Sequence, residues 1–336
     1  EEQELRAAGA DYMEIARMGG GIHSSVRDLR ARDEEELYLL ASQRLTRLGA
    51  HGTTTVEVKS GYGLTLDDEL KMLRVARRLS ETLPIRIVPT FLGAHEIPQE
   101  ARATPAGRAD YVRSLVSAMI PRVATEGLAQ FVDVFCEPGV FTVEESRSIL
   151  SAGLRAGLRL KLHADELRPS GGAELAAELG ATSADHLAAI TNDGIRALAA
   201  SNTVATLLPG TMLFLGKDRQ APARALIEAG AAVALATDFN PGTSPTTNFP
   251  LILTLAVSQL RMSVAEAILA ATVNGAAALG IADRVGQLAT GFSADLALFD
   301  IEDVRELPYW YGDQRCHATW VRGRPCYVTT EVKAGS

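Results

Sequence analysis

The 336-residue chain has few cysteines, few aromatic residues and no excess of positive charge. Cys136, Cys316 and Cys326 are its three cysteines, an odd and sparse set that excludes a disulfide framework and suits reduced thiols in a cytoplasm. Thirty-three basic residues against 41 acidic ones give a formal charge of -8, which leaves no broad basic surface for nucleic acid. The balance fits a protein that handles small molecules. The nearly uncharged runs, such as "AGAAVALAT" at 229–237, are far shorter than the roughly 20 residues of a membrane helix. No membrane partner is expected. The chain opens on an acidic, helix-prone stretch without a Met, so it reads as neither a signal peptide nor a translation start, and an upstream segment is expected.

What is present is a large supply of core, 47% hydrophobic residues, arranged in an alternating pattern. Short β-branched or apolar runs at 53–59, 85–91, 130–136, 158–163, 181–186, 203–208 and 232–237 read as strands, separated by stretches of helical period. Thr65, Thr142 and Ser263 each stand three residues before an acidic residue, at Asp68, Glu145 and Glu266, and so mark helix starts. Alternating strands and helices imply a parallel sheet. Seven such strands fall one short of an eight-stranded barrel, with a doubly wound open sheet as the rival. Polar groups decide for the barrel, because they follow nearly every strand instead of one switch point. After about residue 284 the texture changes to short strands and turns. A small β-rich unit at 284–336 is therefore expected to follow a barrel at 1–283.

The strand ends carry the chemistry. "EVKSGYGL", "PTFLGAHEIP", "KLHADEL", "ADHL", "LLPGT" and "ATDFNPGTSP" bring Lys59, Tyr62, His95, His163, Asp165, Glu166, His186 and Asp238 to consecutive ends. A hydrolytic metal ion needs neutral imidazoles and carboxylates on rigid elements with one position left for water, and His163 and Asp238 suit it. Each residue also has a plain reading: His163 or His186 as a satisfied hydrogen-bonding histidine, Asp238 as a turn former before Asn-Pro-Gly, Glu166 at a helix start, Tyr62 in packing. Their accumulation at successive strand ends favours a site. Lys59 could also be carboxylated and bridge two metals. His23, His51 and His317 read as surface or structural, with His23 in a loop after a glycine triplet.

"YMEIARMGGGI", "TTVEVKSGYGL", "TFLGAHEIP", "DVFCEPGVFT", "KLHADE", "DHL", "LLPGT" and "ATDFNPGTSPT", spread over 12–247, together resemble the imidazolonepropionase family of the amidohydrolase superfamily. The stretch at 271–300 resembles the superfamily's ending, where the chain leaves the barrel for a small β-sandwich. The resemblance implies an α/β fold, a TIM-like (β/α)8 barrel whose first strand precedes Glu1, plus part of the sandwich. It implies hydrolysis of the cyclic amide of 4-imidazolone-5-propanoate to N-formimidoyl-L-glutamate in histidine degradation. The alternatives are another cyclic-amide hydrolase or deaminase of the superfamily, or an inactive fragment.

One zinc or iron ion per subunit is implied, with His163 and Asp238 as ligands. The family's His-x-His pair and carboxylate-holding arginine would precede Glu1. Tyr62, His95, Glu166, Asn240, Gly242 and Thr243 would bind substrate, with Tyr12 a further candidate. Glu166, His186 and Asp238 would be catalytic, His186 as a polarising residue. A cytoplasmic homodimer is the expected setting.

Overall fold

In a computed structural model of the chain, residues 4–5, 8–9, 20–104 and 106–329 are described. Tyr12 and the start of the "YMEIARMGGGI" motif lie outside them. Seven strands, β1 (Thr55–Lys59), β2 (Arg86–Ala94), β3 (Phe131–Cys136), β4 (Arg159–Ala164), β5 (Ser183–His186), β6 (Val204–Leu207) and β7 (Val233–Leu235), form one sheet in chain order. Every adjacent pair is parallel. Sequential order with a helical crossover after each strand is the winding of an α/β barrel, and an open sheet with a reversal point is excluded. All seven strands lie where the apolar runs place them. The described residues close no hydrogen bonds between β1 and β7, so the sheet is an arc with two edges.

The helix starts follow local chemistry. Thr142 and Ser263 form reciprocal capping boxes with Glu145 and Glu266, and Asp33 forms a third with Glu36. Thr65 also caps its helix, Leu66–Thr82, by accepting the Asp68 amide; its hydroxyl donates to the Asp68 carboxylate. His23 differs from expectation: it lies in the helix Ile22–Ala31, because the glycine triplet stops at the helix N-cap, Gly21. The helical stretch Gly107–Thr125 contains a π-turn at Leu115–Met119, where the Ile120 amide donates to the Leu115 carbonyl. Pro121 follows at once and lacks an amide, so the extra residue absorbs the mismatch within the helix.

Between helices and sheet lies a continuous apolar layer that includes Phe91, Leu115, Ile120, Val132, Val134, Ile149 and Leu150. Close approach is set by glycine. A Cβ at Gly153 would run into Val132 of β3, so the helix Val143–Arg155 can lie on the sheet only without one.

Beyond residue 284, β8 (Leu296–Phe299), β9 (Cys316–Val321) and β10 (Arg324–Val328) form a separate antiparallel sheet in the order β10, β9, β8. Arg86, at the start of β2, reaches Asp295 just before β8 at 2.8 Å, and Asp295 also accepts the Arg322 amide. The small sheet is thus fastened to the end of the barrel where the strands begin.

Candidate active site at the strand ends

The strands bury charge as well as hydrocarbon. Within β1, β4 and β5, polar residues recur at every second position, Glu57 and Lys59, Lys161 and His163, Ser183 and Asp185, and β3 adds Asp133. Period two puts them on one face of the sheet, the concave one. There Lys59 Nζ lies 2.6 Å from Asp133, 3.0 Å from Glu57 and 3.2 Å from Asp185. Lys161 pairs with the other oxygen of Glu57 at 2.9 Å, and the Ser183 hydroxyl donates to Asp185 at 2.7 Å. Three carboxylates thus face two ammonium groups. Burial opposes the charge on Lys59, but Asp133, Glu57 and Asp185 outweigh it and hold the amine well above the ordinary lysine range. Carboxylation requires a neutral amine. A bridging, carboxylated Lys59 is therefore set aside in favour of an ammonium that neutralises the strand carboxylates.

Asp133 connects this cluster to the strand ends. Its second oxygen accepts from His163 Nδ1 at 3.0 Å and from the His163 backbone amide at 3.2 Å. Burial works against the Asp133 charge, yet His163 and Lys59 hold it well below the usual carboxylate range. The bond to Nδ1 leaves His163 Nε2 as the nitrogen for the cavity, the arrangement by which a carboxylate orients a metal-binding imidazole. On β7's end, one oxygen of Asp238 accepts from the Thr211 hydroxyl at 2.6 Å. No hydrogen bond from a described residue reaches its other oxygen.

Asp133, His163 and Asp185 offer ligand atoms within 4.8 Å of one another, the only such group among the described residues. Lys59 already sits on both aspartates, so an ion in that triangle would have to displace an ammonium. We regard the triangle as a neutralised ion-pair cluster. His163 Nε2 and a carboxylate oxygen of Asp238 are donors of the kind that could hold a divalent ion.

The other strand-end residues converge on the same place. Tyr62, His95, His163, Glu166, His186, Asp238, Asn240, Gly242 and Thr243 all line one cavity of about 2010 Å³. That exceeds the roughly 300–1,000 Å³ of an ordinary ligand pocket, because the space continues through the arc to the beginnings of the strands, past Glu57 and Lys161. The His163 and His186 rings are 5.2 Å apart, those of His95 and His163 6.0 Å, and Tyr62 meets His95 edge-on at 5.2 Å. His186 Nε2 lies 3.5 Å from Glu166 Oε2. Burial, reinforced by His163, pushes His95 down to about 4, so its imidazole is neutral at pH 7. Its Nδ1 bonds the Gly61 carbonyl at 3.0 Å.

Supports for these residues come from Glu69, which the strand-end reading passes over, and from Asn240 and Asp165, which it names as a substrate contact and a strand-end residue. Glu69, fully buried, accepts the amides of Gly61, Gly63 and Leu64 and so shapes the loop carrying Tyr62. Asn240 is a builder of its turn: its side chain accepts the Gly242 and Thr243 amides and donates to the Asp238 carbonyl. Asp165 turns away from the cavity to accept the amides of Ser170, Gly171 and Ala173. Of the three ionisable side chains in "KLHADEL" after its lysine, two thus enter the cavity and one holds the loop. Asp165, His186 and Asp238 have φ of 49°, 77° and 50°, a left-handed backbone that costs a non-glycine residue energy and concentrates at functional sites. The missed residues left one legible trace, the period-two charges inside otherwise apolar strands.

No helix among the described residues is long and apolar enough to cross a membrane. The amidohydrolase family profile matches residues 6–327. An imidazolonepropionase of Geobacillus kaustophilus is 50% identical over 93% of this chain and 72% of its own length. That of Brevibacillus brevis is 51% identical over the same shares, and that of Solibacter usitatus 47% over 97% and 77%. A zinc-bound adenosine deaminase from Xanthomonas campestris superposes with a TM-score of 0.70 over 97% of this chain and 77% of that one, at 17% identity. The guanine deaminase of E. coli gives 0.66 over 90% and 77%, at 18%. These two likenesses concern the fold. Identity of about one half along nearly the whole chain, over a barrel arc with its polar residues at the strand ends, places this chain in the imidazolonepropionase family of amidohydrolases.

Proposed function

We propose that the chain hydrolyses the cyclic amide of 4-imidazolone-5-propanoate to N-formimidoyl-L-glutamate, a step of histidine breakdown. The convergence of Tyr62, His95, His163, Glu166, His186 and Asp238 on one cavity supports this reading most directly. His163 and Asp238 would hold one zinc or iron ion per subunit, which supplies Lewis acidity to a carbonyl and acidity to a water. Nitrogen and oxygen donors suit either metal.

The chain's own residues do the rest. Glu166, 8% exposed and within the cavity, takes the proton of the attacking water and returns it to the ring nitrogen that leaves. His186, 3.5 Å from Glu166, donates to the oxygen on which charge develops. Tyr62 and neutral His95 pack against the ring, and Asn240, Gly242 and Thr243 form the rim that receives the rest of the substrate. Residues 1–283 are assigned to the barrel and 284–336 to part of the small β-sandwich. A cytoplasmic homodimer completes the proposal.

Glu166→Gln keeps the shape and removes the base. Its kcat should fall on the order of 10²–10⁴-fold with KM little changed. Near-normal turnover of imidazolonepropanoate by this variant would remove Glu166 from the chemistry. Equal or faster turnover of hydantoin or guanine by the unmodified chain would overturn the substrate.

A further inference from the structure

Glu137 follows β3 directly and is 2% exposed, although nothing in the proposed chemistry uses it. One carboxylate oxygen accepts the Arg168 amide at 2.9 Å and the other the Leu167 amide at 3.3 Å. These are the two peptide units that come immediately after Glu166. Of the other holds on this loop, Asp165 grips the amides at 170, 171 and 173, and Arg219 donates at 2.8 Å to the Leu167 carbonyl, on the far side of the second peptide unit.

We propose that Glu137 is a positioning residue for Glu166: its carboxylate fixes the peptide units that present Glu166 to the cavity, and loss of its charge releases them. This rests on the reading of Glu166 given above. A carboxylate that bridges two consecutive amides makes charge-assisted bonds, roughly twice as strong as those of its neutral form. A protonated carboxyl turns one oxygen into a donor, which faces an amide hydrogen and cannot serve it.

The groups around Glu137 bear on when this happens. Glu166 and Asp165 lie on the loop it grips, Arg168 on the same loop and Arg219 across it; Cys136 precedes it, and His186 lies beyond Glu166. Burial, opposed by the backbone amides of Leu167, Arg168 and Glu166 and aided by the Glu166 charge, pushes the Glu137 carboxyl up to about 7. Above about pH 7 the carboxylate is the prevailing form of Glu137, so its hold on the loop is tested there.

The first test compares Glu137→Gln with the unmodified chain at pH 8. Exchange of the Leu167 and Arg168 amides with deuterium should be about tenfold faster in Glu137→Gln, with the melting transition and metal content recorded as controls for folding. Protection of both amides left unchanged by Glu137→Gln overturns the proposal. In turnover of imidazolonepropanoate at pH 8, Glu137→Gln should lower kcat about tenfold and move KM less. An unchanged kcat in Glu137→Gln also overturns it. If Glu166→Gln turns over normally while the amide protection behaves as expected, the role of Glu166 fails and the grip of Glu137 stands.

Discussion

Residue by residue, the site is a set of side chains held by buried partners. Asp133 fixes the tautomer of His163 and shares its other oxygen with Lys59. Asp133→Asn keeps an acceptor for Nδ1 but removes the charge that makes the imidazole basic. Metal affinity, measured by competition with a chelator, should fall roughly 10–100-fold; an unchanged affinity would remove His163 from the ligand set or Asp133 from its support. Glu137 has a consequence for stability as well. Its folded carboxyl ionises at about 7, above the ordinary 4.5, so the folded chain holds that proton over a window where the unfolded chain has lost it. Its contribution is complete below about pH 4.5 and disappears as pH rises through 7. The melting temperature of Glu137→Gln relative to the unmodified chain should therefore be higher at pH 8 than at pH 5, as calorimetry would read. A difference that moves the other way would show that the carboxyl is not raised.

At the scale of elements, the helices and strands announce themselves because their signals are local. Thr142 with Glu145 and Ser263 with Glu266 state their helix starts within four residues, and the apolar run at 130–136 needs only its own composition to read as β3. The strand-end residues are legible for the same reason: "ATDFNPGTSP" and "KLHADEL" stand out within ten positions. Asp133, Asp185, Glu69 and Glu137 are not, because each owes its role to a partner 5 to 126 residues away that only folding supplies. A lone Asp in "FVDVFC" gives no hint of whether it meets a lysine, a histidine or both. His23 reads as loop for a related reason: a glycine triplet looks like irregular chain until its last residue caps a helix. Packing between elements can be tested at Gly153. Gly153→Ala should destabilise by about 1–3 kcal/mol in chemical denaturation, and Val132→Ala in the same chain should recover part of the loss. Additive losses in the double variant would mean that the two residues do not meet.

Over the whole molecule, the sheet's order predicts an order of stability. β3 and β4 are paired on both sides and almost wholly buried, whereas every residue of the edge strand β1 is partly exposed. Amide exchange should accordingly be slowest in β3 to β5 and fastest in β1. Equal protection of β1 would mean that something covers that edge in solution. The fastening of the small sheet through Arg86 and Asp295 lies at the opposite end of the barrel from His95, His163 and Asp238, which separates what holds the molecule together from what the cavity does. The left-handed backbone at Asp165, His186 and Asp238 has a consequence for laboratory evolution. Each of these positions would be relaxed by glycine, which adopts that backbone at no steric cost, and each would lose the side chain the loop or cavity depends on. Populations selected for heat tolerance alone should accumulate glycine at His186 and Asp238 but not at Asp165, whose carboxylate holds three amides, and their descendants would survive boiling better than they digest substrate.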